Sequence, residues 1–216
     1  MAPNQTVCQE IIAACNILAP LFLRDPKDAQ LKDLVAQLSS LDAAELAAEW
    51  PFCSEQETLP GLQALIDGAR DAQEDRESLR RAYRHLFVGP NHLVAPPWGS
   101  VYTDHEKVKF GESCIELSVW MRRCGVESLG PKGEPADHIG TMLALLCWLA
   151  QNRPDLVEEY LTEHLLTWAG HYLDLLAQTA KSEHGLYCGL ALLTKATLEG
   201  LQRELDLEVA HPRYFM

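Results

Sequence analysis

Apolar residues return at intervals of three and four along nearly the whole chain, and no run of alternating β-branched residues interrupts them, so the backbone is confined to helices. Val7, Ile11, Ala14, Leu18 and Leu21 line one face of a helix expected from Asn4 to Arg24, which stops at Asp25-Pro26. Aspartates suited to N-capping open short helices at Asp28 to Leu38 and Asp42 to Glu49. A longer helix is expected from Leu59 to Phe87, charged on one side and carrying Leu79, Tyr83 and Leu86 on the other. Asp104 opens the next, running through Cys124 with Gly125 as its C-cap, and Val126 to Gly133 reads as a loop. Pro135 fits the first turn of a helix to Gln151 that is apolar nearly all round and should be the central core helix. Pro154 starts another, broken near Leu166 to Trp168, and the last spans Gly185 to Leu205. The expected fold is all-α, a single helical unit of about eight to ten helices.

One stretch departs from this pattern. From Tyr83 to Tyr102 the chain reads YRHLFVGPNHLVAPPWGSVY, and Pro90, Pro96 and Pro97 hold it nearly extended. Phe87, Leu93, Val94, Trp98 and Tyr102 make it too apolar for a solvated connector, so it either plugs a core or binds something. It divides one domain, residues 1–216, into an N-terminal half, 1–88, a proline-rich loop or hinge, 89–103, and a C-terminal half, 104–216. Such a hinge permits domain swapping, which leaves a monomer and a swapped dimer both open. Downstream, Asp137-His138 falls in the N-terminal turn of the most apolar helix, where the helix dipole favours an acid. Asp137 is then either a cap or, if it faces the proline loop, a carboxylate shaped for an arginine fork. His138 is either a satisfied core histidine or part of the same surface, and Trp98 after Pro-Pro is either a core anchor or a binding wall.

The blocks LFVGP and APPWGSVY, followed by EPADHIGTMLALL at Glu134 to Leu146, resemble those of the TorD/DmsD family of redox enzyme maturation chaperones, closest to its dimethyl-sulfoxide-reductase-type members. The resemblance is close in these motifs and looser over the rest of the chain. It implies an all-helical cytoplasmic chaperone, non-catalytic and without a cofactor. Its partner would be the twin-arginine signal peptide of a molybdoenzyme catalytic subunit, with the Tat translocase as a further partner, and it would hold that enzyme back until its cofactor is loaded. Leu86, Phe87, Pro96, Trp98, Gly111, Asp137 and His138 match the family's signal-peptide groove position by position. Tyr83 and Asn91 stand where close relatives tend to have tryptophan; tyrosine keeps an aromatic wall and asparagine does not, so the client stays open. On this reading Phe87 and Trp98 wall the apolar part of the peptide and Asp137 supplies a counter-charge, with Glu134 or Asp104 as second acids. An arginine stacked on Trp98 would add roughly 0.5 to 2 kcal/mol to its ion pair.

Charge agrees with a basic ligand. With 31 acids against 18 bases the formal charge is -13, a field that repels nucleic acid phosphates and anionic membranes and attracts arginines. Seven cysteines without a CxxC pair argue against a disulfide framework, a zinc ribbon or an iron–sulfur motif and point to reduced thiols. The N-terminal apolar stretch lacks a basic flank and contains Glu10, so neither a secretory leader nor a stable membrane insertion is expected. Arg80-Arg81 and Arg122-Arg123 lie mid-chain on solvated helix faces.

Two rivals from other classes remain. Asp104-His105, Asp137-His138, His164 and His171 suggest a metal-dependent helical phosphohydrolase, but both pairs read Asp before His, HExxH is missing, and His164 and His171 stand seven residues apart, so no metal ligand is assigned. A helical scaffold without a peptide groove is the other. No GxxxxGK[ST], GxGxxG or GxSxG frame occurs, which leaves no phosphate cradle and no serine nucleophile to assign as catalytic.

Overall fold

The computed structural model describes residues 2–89, 92–127, 133–210 and 214–216; Pro90, Asn91 and most of the expected 126–133 loop lie outside the described residues. In chain order the helices are α1 (Gln5–Leu23), α2 (Ala29–Ser39), α3 (Ala43–Glu49), α4 (Glu55–Glu74), α5 (Arg76–Tyr83), α6 (Ser100–Thr103), α7 (Glu112–Arg123), α8 (Ile139–Asn152), α9 (Val157–Tyr160), α10 (Ala169–Ala180) and α11 (Gly185–Glu204). Single π-helical turns at Arg84–Val88 and Leu161–Leu165 extend α5 and α9, and a 3-10 turn at Pro154–Leu156 precedes α9. Among the described residues there is no strand, so the fold is all-α as expected. The count exceeds ten because α6 and α9 are single turns and because the long helix expected through Phe87 is divided.

Local chemistry explains the boundaries. Asp28 and Asp42 cap α2 and α3, each carboxylate accepting two backbone N–H groups of the first turn. Ser54 and Glu57 form a capping box that starts α4 four residues before Leu59. Asp75 then leaves helical geometry and takes the Ser78 N–H at 3.0 Å, which ends α4 and begins α5. Gly125, at φ +70°, closes α7: its N–H reaches Arg122 O at 3.2 Å and that of Val126 reaches Met121 O at 2.8 Å, the paired bonds of a Schellman motif.

Contacts sort the chain into two compact units, each assembled from separated stretches: residues 1–22, 97–170 and 205–216 in one, and 23–96 and 171–204 in the other. The chain passes from one unit to the other four times, after Phe22, Pro96, Gly170 and Glu204.

The second unit is organised by α4 against α11. These helices approach until backbone meets backbone: a Cβ at Gly61 would lie 2.8 Å from Leu193 N, and one at Gly68 or Gly189 would collide outright with the backbone of Leu186 or Leu65. Trp50 pins the segment before α4 to α11, its indole N–H donating to Thr197 Oγ1 at 2.9 Å inside the core.

In the first unit α8 is the core helix, with ten of its residues buried. Tyr160, fully buried, donates to Met142 O at 2.8 Å, and Tyr102 stacks on Trp168 at 5.9 Å. Helix α1 is long and apolar enough to cross a bilayer, with a mean hydropathy of 1.6; half of that window is buried, as in a core helix.

Candidate functional site

The Trp98 and Asp137-His138 motifs meet. An isolated antiparallel bridge joins Trp98 to His138, with Gly99 N–H donating to Asp137 O at 3.1 Å and Ile139 N–H to Pro97 O at 2.9 Å. The Asp137 carboxylate fastens this clasp, accepting the Ser100 N–H on Oδ2 at 2.7 Å. No hydrogen bond reaches its Oδ1 among the described residues, and the side chain lines a cavity of about 30 Å³ with Glu163 and His164.

Here the helix start differs from expectation. His138 is extended, so α8 begins at Ile139 and Asp137 stands outside its first turn. The capping atom is His138 Nδ1, which accepts the Gly140 N–H at 3.1 Å. Burial, with a smaller contribution from the Lys109 charge, pushes the His138 imidazole down to about 4 and keeps it neutral, as an Nδ1 acceptor must be. Burial and then the Asp137 charge push the neighbouring Cys114 thiol up to about 11, so it is no thiolate at neutral pH.

Trp98 is only 5% exposed, but its surroundings are polar. Its indole N–H donates to Glu134 Oε1 at 2.6 Å, the edge of His138 meets its ring at 5.9 Å, and Lys109 Nζ lies 3.3 Å above the ring centre. A cation therefore already sits on the face that the sequence reading reserves for arginine.

The remaining candidates fall in two groups. Gly111 precedes α7, where a Cβ would collide with the Asp104 carboxylate that accepts the Ser113 N–H and caps that helix. Tyr83, Leu86, Phe87 and Pro96 belong to the other unit and are buried there. Tyr83 and Phe87 pack with Tyr187 at ring separations of 5.2 to 6.4 Å, while the π turn that carries Leu86 and Phe87 ends at Gly89, whose φ of +96° requires glycine.

A groove that the sequence reading did not anticipate runs along α7. It encloses about 690 Å³ and is lined by Val108, Phe110, Ile115 and Val119, each about half exposed, and by Gly111. Glu106, Glu112, Glu116 and Glu163 border it. The signal was present: Cys114, Leu117, Trp120 and Met121 form the buried stripe of α7, and Ile115 and Val119 form a second apolar stripe that the core does not use. Burial also pushes His164, on the groove wall, down to about 4, with Glu159 opposing and Arg123 adding. Among the described residues no three His, Cys, Asp or Glu side chains are placed to hold a metal ion.

With this geometry in view, residues 54–174 match the family described as nitrate reductase delta subunit. Over nearly its full length the chain is similar to the probable Tat proofreading chaperone DmsD of Haemophilus influenzae, at 36% identity covering 98% of this chain and 99% of the relative. The chain belongs to the TorD/DmsD family. A second family relative, the Tat proofreading chaperone DmsD of Salmonella typhimurium, is 35% identical over 93% of each chain. The chaperone protein YcdY of Escherichia coli is 26% identical over 91% of this chain and 96% of its own. Both the Trp98 clasp and the α7 groove lie inside the family match.

Proposed function

We propose that the chain is a non-catalytic cytoplasmic chaperone that binds the twin-arginine signal peptide of a molybdopterin-dependent oxidoreductase and assists its maturation before Tat export. The observation that carries this reading is the end-to-end similarity to relatives named Tat proofreading chaperone. The net charge of -13 suits a peptide led by arginines. The Trp98 ring, already stacked on Lys109 and bonded to Glu134, has the chemistry a guanidinium prefers, a π face beside a carboxylate. In this reading a leader arginine exchanges for Lys109 over Trp98, while Asp137 and His138 hold the clasp in place beneath it. Tyr83, Leu86, Phe87 and Pro96 enter through their match to the family motif, and Gly111 keeps room for the α7 cap.

Calorimetric titration with a twin-arginine leader, against the same leader with both arginines changed to alanine and at two salt concentrations, tests the reading. Salt-weakened binding of the first peptide and loss of the second are expected. Equal affinity for both, or binding of neither, overturns it. Trp98→Ala should weaken binding in a protein that still unfolds cooperatively; a collapse in thermal stability would instead show Trp98 to be a core anchor.

A further inference from the structure

We infer that the groove along the outer face of α7 receives the apolar stretch that follows the paired arginines of the leader, an inference that rests on the leader-binding reading above. Four independent observations converge there. Val108, Phe110, Ile115 and Val119 are 44%, 54%, 57% and 48% exposed, so four of the nine exposed large hydrophobic side chains among the described residues are gathered in one place. Scattered apolar residues need no explanation, but a shared concave patch marks an interaction site.

Phe110 is the second observation. It holds a left-handed backbone at φ +62°, an uncommon conformation for a bulky side chain, and there the ring is left in solvent instead of packed. Charge is the third. Glu106, Glu112, Glu116 and Glu163 border the groove without an ion-pair partner among the described residues, and Arg123, its one arginine, is held by Glu159 at 2.6 Å. An apolar floor inside an anionic border matches a peptide that is basic at one end and apolar along its length, and it disfavours an acidic one.

Size and continuity make the fourth. The volume of about 690 Å³ suits several side chains of a bound segment. Phe110 directly follows Lys109, the residue over Trp98, so the proposed arginine position leads straight into the groove. Ile115 and Val119, one helical turn apart, would meet apolar side chains spaced by three or four on a helical ligand.

The test measures fluorescence anisotropy of a labelled twin-arginine leader with wild-type protein and with an Ile115→Glu/Val119→Glu double variant. Both positions are exposed, so the fold should survive, and Leu192→Glu, exposed outside the groove, serves as a control. We expect the double variant to lose at least tenfold in affinity and Leu192→Glu to bind as wild type. A leader whose apolar stretch is replaced by serines should bind wild type and double variant alike. Glu112→Gln/Glu116→Gln should flatten the salt dependence. Undiminished affinity in a folded double variant overturns the groove assignment and leaves leader binding standing; failure of wild type to bind any leader overturns both. Loss of self-association in the double variant, by light scattering, with leader affinity unchanged would assign the groove to a second copy of the chain and overturn the inference.

Discussion

His138 should make the protein acid-sensitive in a defined window. Its imidazole titrates near 6.5 when unfolded and near 4 in the folded clasp, so between those values the unfolded chain binds a proton that the folded one refuses. The stabilisation is complete above about pH 6.5 and is lost as pH falls toward 4, because a depressed histidine favours the native state only where it stays neutral. From these two values the loss between pH 7 and pH 5 is about 2 kcal/mol for this one residue. Protonation also removes Nδ1 as the acceptor of the Gly140 N–H, so the cap of α8 fails in the same step. His138→Asn keeps a good capping oxygen without the titration. Urea unfolding followed by circular dichroism at pH 7, 6 and 5 should show wild type losing about 2 kcal/mol more than the variant over that range. His164, depressed in the same direction, contributes to both curves and cancels. Parallel pH profiles for the two proteins would refute the argument.

Four further outcomes follow from the packing. Lys109→Gln removes the cation over Trp98 and should raise leader affinity several-fold in calorimetry, since the arginine then displaces nothing; weaker binding would mean that Lys109 supports the site instead of occupying it. Asp137→Ala leaves the buried Ser100 N–H without its acceptor and should cost about 1 to 3 kcal/mol of folding stability by urea titration, whereas an unchanged midpoint would deny the clasp its role. Gly189→Ala forces a methyl into the α4 backbone and should lower stability by about 3 kcal/mol or prevent folding. Gly170→Ala, in a helix with nothing within 4 Å of the new Cβ, should instead gain up to about 1 kcal/mol, both glycine variants being read by urea titration.

The helices were legible because their signals are local. Asp28, Asp42 and Gly125 each act within four residues of themselves, and each appears where the sequence placed it. Asp75 escaped because an aspartate in a charged stretch has the same composition whether it caps or merely faces water. The α8 start was misplaced by four residues for a related reason: Pro135 is tolerated in a first turn, but Asp137 lies in a turn closed by the His138 N–H on Pro135 O, and the competing bridge to Trp98, nearly forty positions away, holds His138 extended. The structure joins Trp98 to Asp137-His138, two motifs that the resemblance assigns to one groove, yet the lysine on the Trp98 ring comes from a turn that the sequence reads as helix. The groove was not legible because Ile115 and Val119 alternate with the buried Cys114, Leu117, Trp120 and Met121, and the sequence does not say which of two apolar stripes the core takes.

The pairing of α4 with α11 also sets a timetable. Roughly a hundred residues separate the end of one helix from the start of the other, so a ribosome working at about 5 to 20 residues per second needs on the order of 5 to 20 s to deliver the second after the first. During that interval α4 has only the helices made before it, α2 and α3, to pack against, and its face for α11, where Gly61 and Gly68 lie, stands open to other chains. A chaperone of this family therefore passes through an unshielded interval of its own, and any truncation short of Gly185 would make that interval permanent.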